Sequence, residues 1–382
     1  MPKMSTDLIL ADLILTDLIL TGPTMGTTWS ATLPAQPLSP TLQAALQAAV
    51  TEVDRIATTW SPTSDLMRLN TAAPDTWVTL PPRLMTILQA ALAMGAETDG
   101  AFDAALGDAV NAWGFGPDQA CITKIHAARA RPRRPAHETL ELDLPNHRAR
   151  KHQPLQLDLS GIAKGYGVDR LTEVLMDHTI PAALLAIDGE LRALGTRSDG
   201  TPWTIAVERP SHTSRTPHSI LMLQNAAVAT SGDYRHWVQV GNRLLSHTIN
   251  PKTGAPLTDA PASVTVVGPD CMWSDAVATA LMVMGTQKGS AFAKAQGINA
   301  LFLHRQADQI TALPIGPIFS GPSFSGPIFS GPVNSGPIFS GPIYSGPPSL
   351  TQRTLPLHTG PNTHLAPPPQ GTAPENQPPV TG

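Results

Sequence analysis

Over residues 316–347 the chain repeats Ser-Gly-Pro-Ile-Phe and close variants at a period of five. Proline removes backbone donors and glycine resists ordering, so such a stretch builds no packed core of its own. The folding part must therefore lie before it. The 382 residues divide into a low-complexity leader over 1–20, a folded body over 21–313 and a disordered Pro/Gly/Ser-rich tail over 314–382. The excess in the 39 prolines is local to that tail and says nothing about the body.

The leader repeats Asp-Leu-Ile-Leu at residues 7, 12 and 17. Acids at that spacing interrupt any apolar run, and no lipid-accepting cysteine follows. It therefore reads as a low-complexity leader, with an added strand on the first sheet or a misassigned start codon as the options, and as neither a secretory signal nor an anchor; no transmembrane segment is expected. A formal net charge of -4 offers no basic surface, so no nucleic acid is expected as a partner. Cys121 and Cys271 lack metal-binding spacing and read as free core thiols.

Within the body, apolar residues recur at helical spacing over 39–58, 81–98, 164–179, 275–284 and 288–296. Strand patterns cover 25–33, 155–159, 182–194, 203–207, 226–230, 237–240, 263–267 and 300–304. Helices and strands mix without strict alternation. That predicts an α+β fold of mixed sheets with packed helices.

Two segments carry the strongest chemistry. Residues 158–169 read Asp-Leu-Ser-Gly-Ile-Ala-Lys-Gly-Tyr-Gly-Val-Asp: a strand end, a small-residue turn and a helix start with one lysine, Lys164. Such a turn lets backbone groups approach a phosphate, and the lysine neutralises it. By itself the pattern fits close packing equally well. Residues 274–280 place Asp275 and Thr279 four apart, on one helical face. A carboxylate with a hydroxyl is hard-oxygen ligation, suited to Mg2+ holding a pyrophosphate. The plainer use is a helix cap, for which Ser274 is the better candidate. His247 ahead of an Asn-Pro turn suits acid–base work near neutral pH, or simply fixes its loop. Trp60 and Phe102 suit the faces of a flat ring system, with core packing the plainer reading.

Taken in order along the chain, the motifs PTMGTTW (23–29), DGAFD (99–103), WGFGP (113–117), DLSGIAKGYGVD (158–169), GELRALG (189–195), ATSGDYRHW (229–237), SHTINPKTG (246–254) and the stretch 263–285 resemble the ApbE-like FAD:protein FMN transferases. The resemblance implies a T-fold-related architecture, FAD as substrate and Mg2+ as cofactor. It implies transfer of the FMN moiety to a Thr or Ser hydroxyl of a target flavoprotein, with release of AMP. The partners implied are acceptor flavoprotein subunits of redox complexes. Carried over position by position, Met25, Trp60, Ala101, Phe102, Asp103, Asp158, Lys164 and Ile249 bind FAD. Asp275, Thr279 and the carbonyls of Gly161 and Ala278 hold the metal. Lys164 steadies the phosphate, and either Asp275 or His247 is the base that takes the hydroxyl proton. Two other outcomes share this site: an FAD pyrophosphatase giving FMN and AMP, and a non-catalytic FAD-binding protein. The chain departs from the pattern at Asp188, where many relatives carry glycine. The family usually works on the periplasmic or outer face of the cytoplasmic membrane. With no export signal legible, a cytoplasmic location stays open.

Overall fold

The computed structural model describes residues 17–326, apart from 36, 38, 236, 241, 242, 307, 308 and 323. Most of the expected leader and tail lie outside the described residues. Eight strands form one sheet: β1 (Leu18–Thr24), β2 (Thr27–Leu33), β3 (Ala183–Ile187), β4 (Glu190–Leu194), β5 (Ala226–Gly232), β6 (Ser263–Gly268), β7 (Asn299–Gln306) and β8 (Gln309–Ile315). Each pairs antiparallel with the next, so order in the sheet follows order in the chain. The α+β class expected from the sequence is the one observed.

The helices come from two excursions. Between β2 and β3 the chain makes α1 (Pro40–Ala57), α2 (Pro82–Glu97) and α3 (Ala163–Asp177), and between β6 and β7 it makes α4 (Cys271–Ala295). Side chains alternate across the sheet. Val264, Val266, Ala300 and Phe302 face the helices, whereas Val267, Leu301 and Leu303 face a hairpin, Trp203–Glu208 with Pro217–Leu223, on the far side. The sheet is thus a middle layer, apolar on both faces.

Helix α1 begins as its sequence signals. Ser39 accepts from Leu42 N at 3.3 Å, Pro40 opens the first turn, and Leu42, Leu46, Ala49, Val50, Val53 and Ile56 form the buried stripe. Helix α4 is capped differently from expectation. Asp270, not Ser274, accepts from Trp273 N at 2.8 Å, and Ser274 Oγ donates back to Asp270 O. At Gly285 the backbone turns to φ 71, which separates the two helical stretches read in the sequence.

Two expectations are corrected. Residues 155–159 join no sheet, although Leu155, Leu157 and Leu159 are buried in strict alternation. The Asn70 side chain does the work of a neighbouring strand. Its Nδ2 donates to Leu157 O and its Oδ1 accepts from Leu157 N, at 2.9 and 2.7 Å. Periodicity reports burial, and a side chain has satisfied the backbone instead of a ladder. The body also exceeds 21–313 at both ends. Leu18–Leu20 belong to β1, while β8, a short turn of 3-10 helix (Pro317–Phe319) and a two-residue strand (Phe324–Ser325) extend it past residue 313. Among the described residues no helix is long and apolar enough to cross a membrane.

Candidate active site

The site forms where the start of α3, the first turns of α4 and the end of β5 converge. Close approach is possible because residue 165 is glycine: a Cβ there would stand 2.3 Å from Cys271 O. Gly165 N–H donates to Asp275 Oδ2 at 3.0 Å, tying the lysine-bearing turn to α4. One helical turn on, Thr279 Oγ1 lies 3.1 Å from Ser231 Oγ of β5. A Cβ built on Gly161 would stand 3.2 Å from Thr279 Oγ1 and 3.4 Å from the Phe102 ring. The structure therefore brings together Phe102, Gly161, Lys164, Asp275 and Thr279, five positions spread over nearly two hundred residues of sequence.

Lys164 sits among acids. Its Nζ is 2.9 Å from Glu190 Oε2 and 3.5 Å from Asp188 Oδ2. Burial alone would lower its pKa, but Glu190, Asp188 and Asp275 outweigh burial and hold the ammonium well above the ordinary lysine range. Burial pushes Glu190 and Asp275 the other way, above the usual carboxylate range, although Lys164 draws both down. Two buried carboxylates, Glu190 and Asp275, share that one lysine, while Asp188 also interacts with Arg235. The charged lysine and its reluctant acids are two faces of that imbalance.

A second anchor lies behind the site. The Asp169 carboxylate accepts from Cys271 N and Met272 N at 2.8 to 3.0 Å and pairs with Arg192 at 2.9 Å. A carboxylate against the first amides of α4 fixes that helix end relative to α3.

The remaining positions fall into place unevenly. Met25 lies in the β1–β2 turn with φ 46, a strained value for its type, and its Cε approaches Gly167 of α3. Beside it the buried Thr24 hydroxyl has no partner among the described residues. Asp158 donates its N–H to Ala104 O at 2.8 Å, which lays the lysine-bearing segment along 102–105. Ala101 packs at the rim of the main core. Asp103 Oδ1 accepts from Ala105 N and Ala136 N, both at 2.9 Å, so part of its role is to staple that loop. Ala278 is fully buried in α4 between the two side chains read as ligands.

Other positions make contacts of a different kind. The Trp60 ring is 59% exposed. His247 packs edge-on to Phe115, with centroids 6.4 Å apart. Ile249 is buried in a small cluster with Trp113, Ala109 and Ala112. Sequence reasoning missed Glu190 as a member, and reached Ser231 only as part of the polar turn over 230–236, which suits hydrogen bonds to a phosphate or ribityl chain or simply joins two strands. Glu190 carried no local signal, because its place at the site follows from the hairpin register that sets it opposite Ile187. Asp188, by contrast, adopts φ 55, which explains why glycine suits that turn.

Comparison with known proteins gives the chain a family. Residues 25–302 match the model of the ApbE family. The FAD:protein FMN transferase of Vibrio cholerae is 36% identical over 75% of this chain and 87% of its own, and that of Escherichia coli K12 is 30% identical over 75% and 84%. The solved flavin transferase ApbE from Vibrio cholerae superposes with a TM-score of 0.70 at 35% identity, covering 80% of this chain and 98% of that one. The apo flavinyl transferase ApbE of Pseudomonas stutzeri gives the same TM-score at 32% identity, covering 80% and 96%. Fold, site and relatives together define an enzyme of the transferase class. The chain belongs to the ApbE family.

Proposed function

We propose that this protein transfers the FMN half of FAD to a Thr or Ser hydroxyl of an acceptor flavoprotein in a redox complex, releasing AMP. The observation that carries the reading is the meeting of the Lys164 turn with Asp275 and Thr279 on one face of α4. The family relatives carry the name FAD:protein FMN transferase, which supplies the donor and the group moved.

A divalent cation fits the residues present. Glu190 and Asp275, both buried, share a single lysine, so the pair leaves negative charge for a cation. The donor set is all oxygen: one carboxylate, one hydroxyl and backbone carbonyls, which suits Mg2+. Asp275, Thr279 and the carbonyls of Gly161 and Ala278 would hold it. Bound there, Mg2+ offsets the charge of the pyrophosphate and of the AMP oxygen that leaves.

The chain's own residues do the rest. Lys164 moves from Glu190 to a phosphate oxygen on the flavin side of the pyrophosphate, a short motion for a long side chain. Phe102 closes one wall against Gly161 and helps exclude water. Asp275, which accepts from Gly165 N–H and would also serve the metal, and His247 are the two candidates to accept the proton of the attacking hydroxyl. Holding the acceptor hydroxyl in line with the scissile bond supplies most of the acceleration.

Incubation with FAD, Mg2+ and an acceptor flavoprotein fragment, read by mass spectrometry, tests the proposal. The expected result is a mass gain of one FMN phosphoester on Thr or Ser, lost when EDTA is added. AMP accumulating without adduct would make the protein an FAD pyrophosphatase. FAD bound and recovered intact, with every acceptor tried, would leave a binding protein only.

A further inference from the structure

At the start of the repeat region, residues 316–322, 324 and 325 fold onto the body, and most of them have a defined job. The chain leaves β8 at Gly316 with φ 84, where a Cβ would stand 2.5 Å from Asn299 Oδ1. Pro317 opens the 3-10 turn, where its fixed φ suits and no donor is missed. Ile318 N–H donates to Asn299 Oδ1 at 3.1 Å. Phe319 enters the far-side core among Trp203, Leu221 and Leu303, leaving 1% of its surface exposed. Ser320 Oγ donates to Gly316 O at 2.8 Å and closes the turn. Phe324 then pairs with Leu221 as an edge strand, its ring edge-on to Phe319 at 5.5 Å.

Socket and strand edge together read Gly-Pro-Ile-Phe-Ser-Gly, two further residues, an aromatic and Ser. We propose that this is a peptide-docking site with a second occupant encoded in the same chain: residues 336–345, Gly-Pro-Ile-Phe-Ser-Gly-Pro-Ile-Tyr-Ser. They match residues 316–325 at eight of ten positions and keep an aromatic, Tyr344, where Phe324 pairs. Residues 326–335 match equally often but bring Asn334 to that position, so they forfeit the ring pair. In the intact chain the first unit holds the site because it is continuous with β8. Seating the later unit loops out twenty residues, and closure entropy grows only slowly with loop length. The site is therefore an anchor whose position along the tail is adjustable, and the unit that sits there sets how much chain follows it. It is independent of the flavin chemistry.

Thermal unfolding tests this with Phe319→Ala placed in the full-length protein and in a chain ending at Gly326. In the shortened chain, removing a buried Phe should lower Tm by roughly 6–10 °C. The full-length variant should lose less than about half of that, because the later unit takes over. Adding Phe339→Ala should abolish the rescue, and adding Phe329→Ala should not. Equal losses in the two chains would overturn the proposal. So would a rescue that depends on Phe329, or one that grows with protein concentration and so comes from a second copy. Should the shortened variant fail to fold, identical melting of full-length Phe319→Ala and Phe319→Ala/Phe339→Ala overturns it equally.

Discussion

The two faces of the central sheet are made of opposite materials. The helix face buries Glu190 and Asp275 beside a half-buried Lys164, and leaves the Thr24 hydroxyl without a partner among the described residues. The hairpin face buries Trp203, Ile205, Leu221, Leu303 and Phe319, with little to titrate. Buried charges that outnumber their counter-ions destabilise a fold, whereas a well-filled apolar layer stabilises it. A sheet with a layer on each side can hold both, so one face carries strained chemistry while the other holds the strands in place.

The comparison breaks most visibly at Asp275. Asp275→Asn keeps an acceptor for Gly165 N–H but removes the buried charge and the proposed metal ligand. Turnover should fall by about 10³-fold or more, a loss of over ~4 kcal/mol in transition-state stabilisation, while Tm holds or rises. A variant that loses both activity and several degrees of Tm would make Asp275 a structural residue. The mirror experiment is Trp203→Ala. Trp203 is 3% exposed and its Nε1 donates to Leu194 O at 2.8 Å. Its loss should cost about 3–5 kcal/mol of stability, read by urea unfolding. Turnover per folded molecule should be unchanged, and a matching fall in kcat would show that the faces are coupled.

The same division governs what was legible in the sequence. The helices that back the site announced themselves, because Ser39 and Pro40 begin α1 and an unbroken apolar stripe follows. The Lys164 turn and the Asp275/Thr279 pair were legible as motifs, since close approach demands glycine and shared ligation demands a four-residue step. The partners of Lys164 were not. Glu190 and Asp188 come from a hairpin whose register brings them to the lysine, and no local pattern encodes that register. The far face was harder still. Residues 217–223 alternate weakly and gave no strand signal, and Phe319 lies in a repeat whose composition argues against any core. Low-complexity composition describes what a segment lacks alone, not what a neighbouring sheet edge offers it.

Acid gives the smallest effect and the most direct test of the comparison, because the two faces should respond with opposite signs. Burial raises Glu190 and Asp275, so the folded state binds more protons than the unfolded one above the ordinary carboxylate range. Their cost is relieved as pH falls through the raised values. His218, on the far face and 4% exposed, is lowered by burial and then by Arg209. The folded state therefore binds fewer protons than the unfolded one just below the ordinary histidine value, and stability there is lost as pH falls. In the wild type the two slopes offset one another between about pH 7 and 5. Asp275→Asn removes part of the acid-side relief, so its Tm should drop with falling pH by roughly 2–4 °C. His218→Phe removes the opposing slope, so its Tm should rise over the same interval. Two variants whose Tm curves run parallel to the wild type would show that neither face is linked to protons in this range, and the contrast in materials would then have no counterpart in pH.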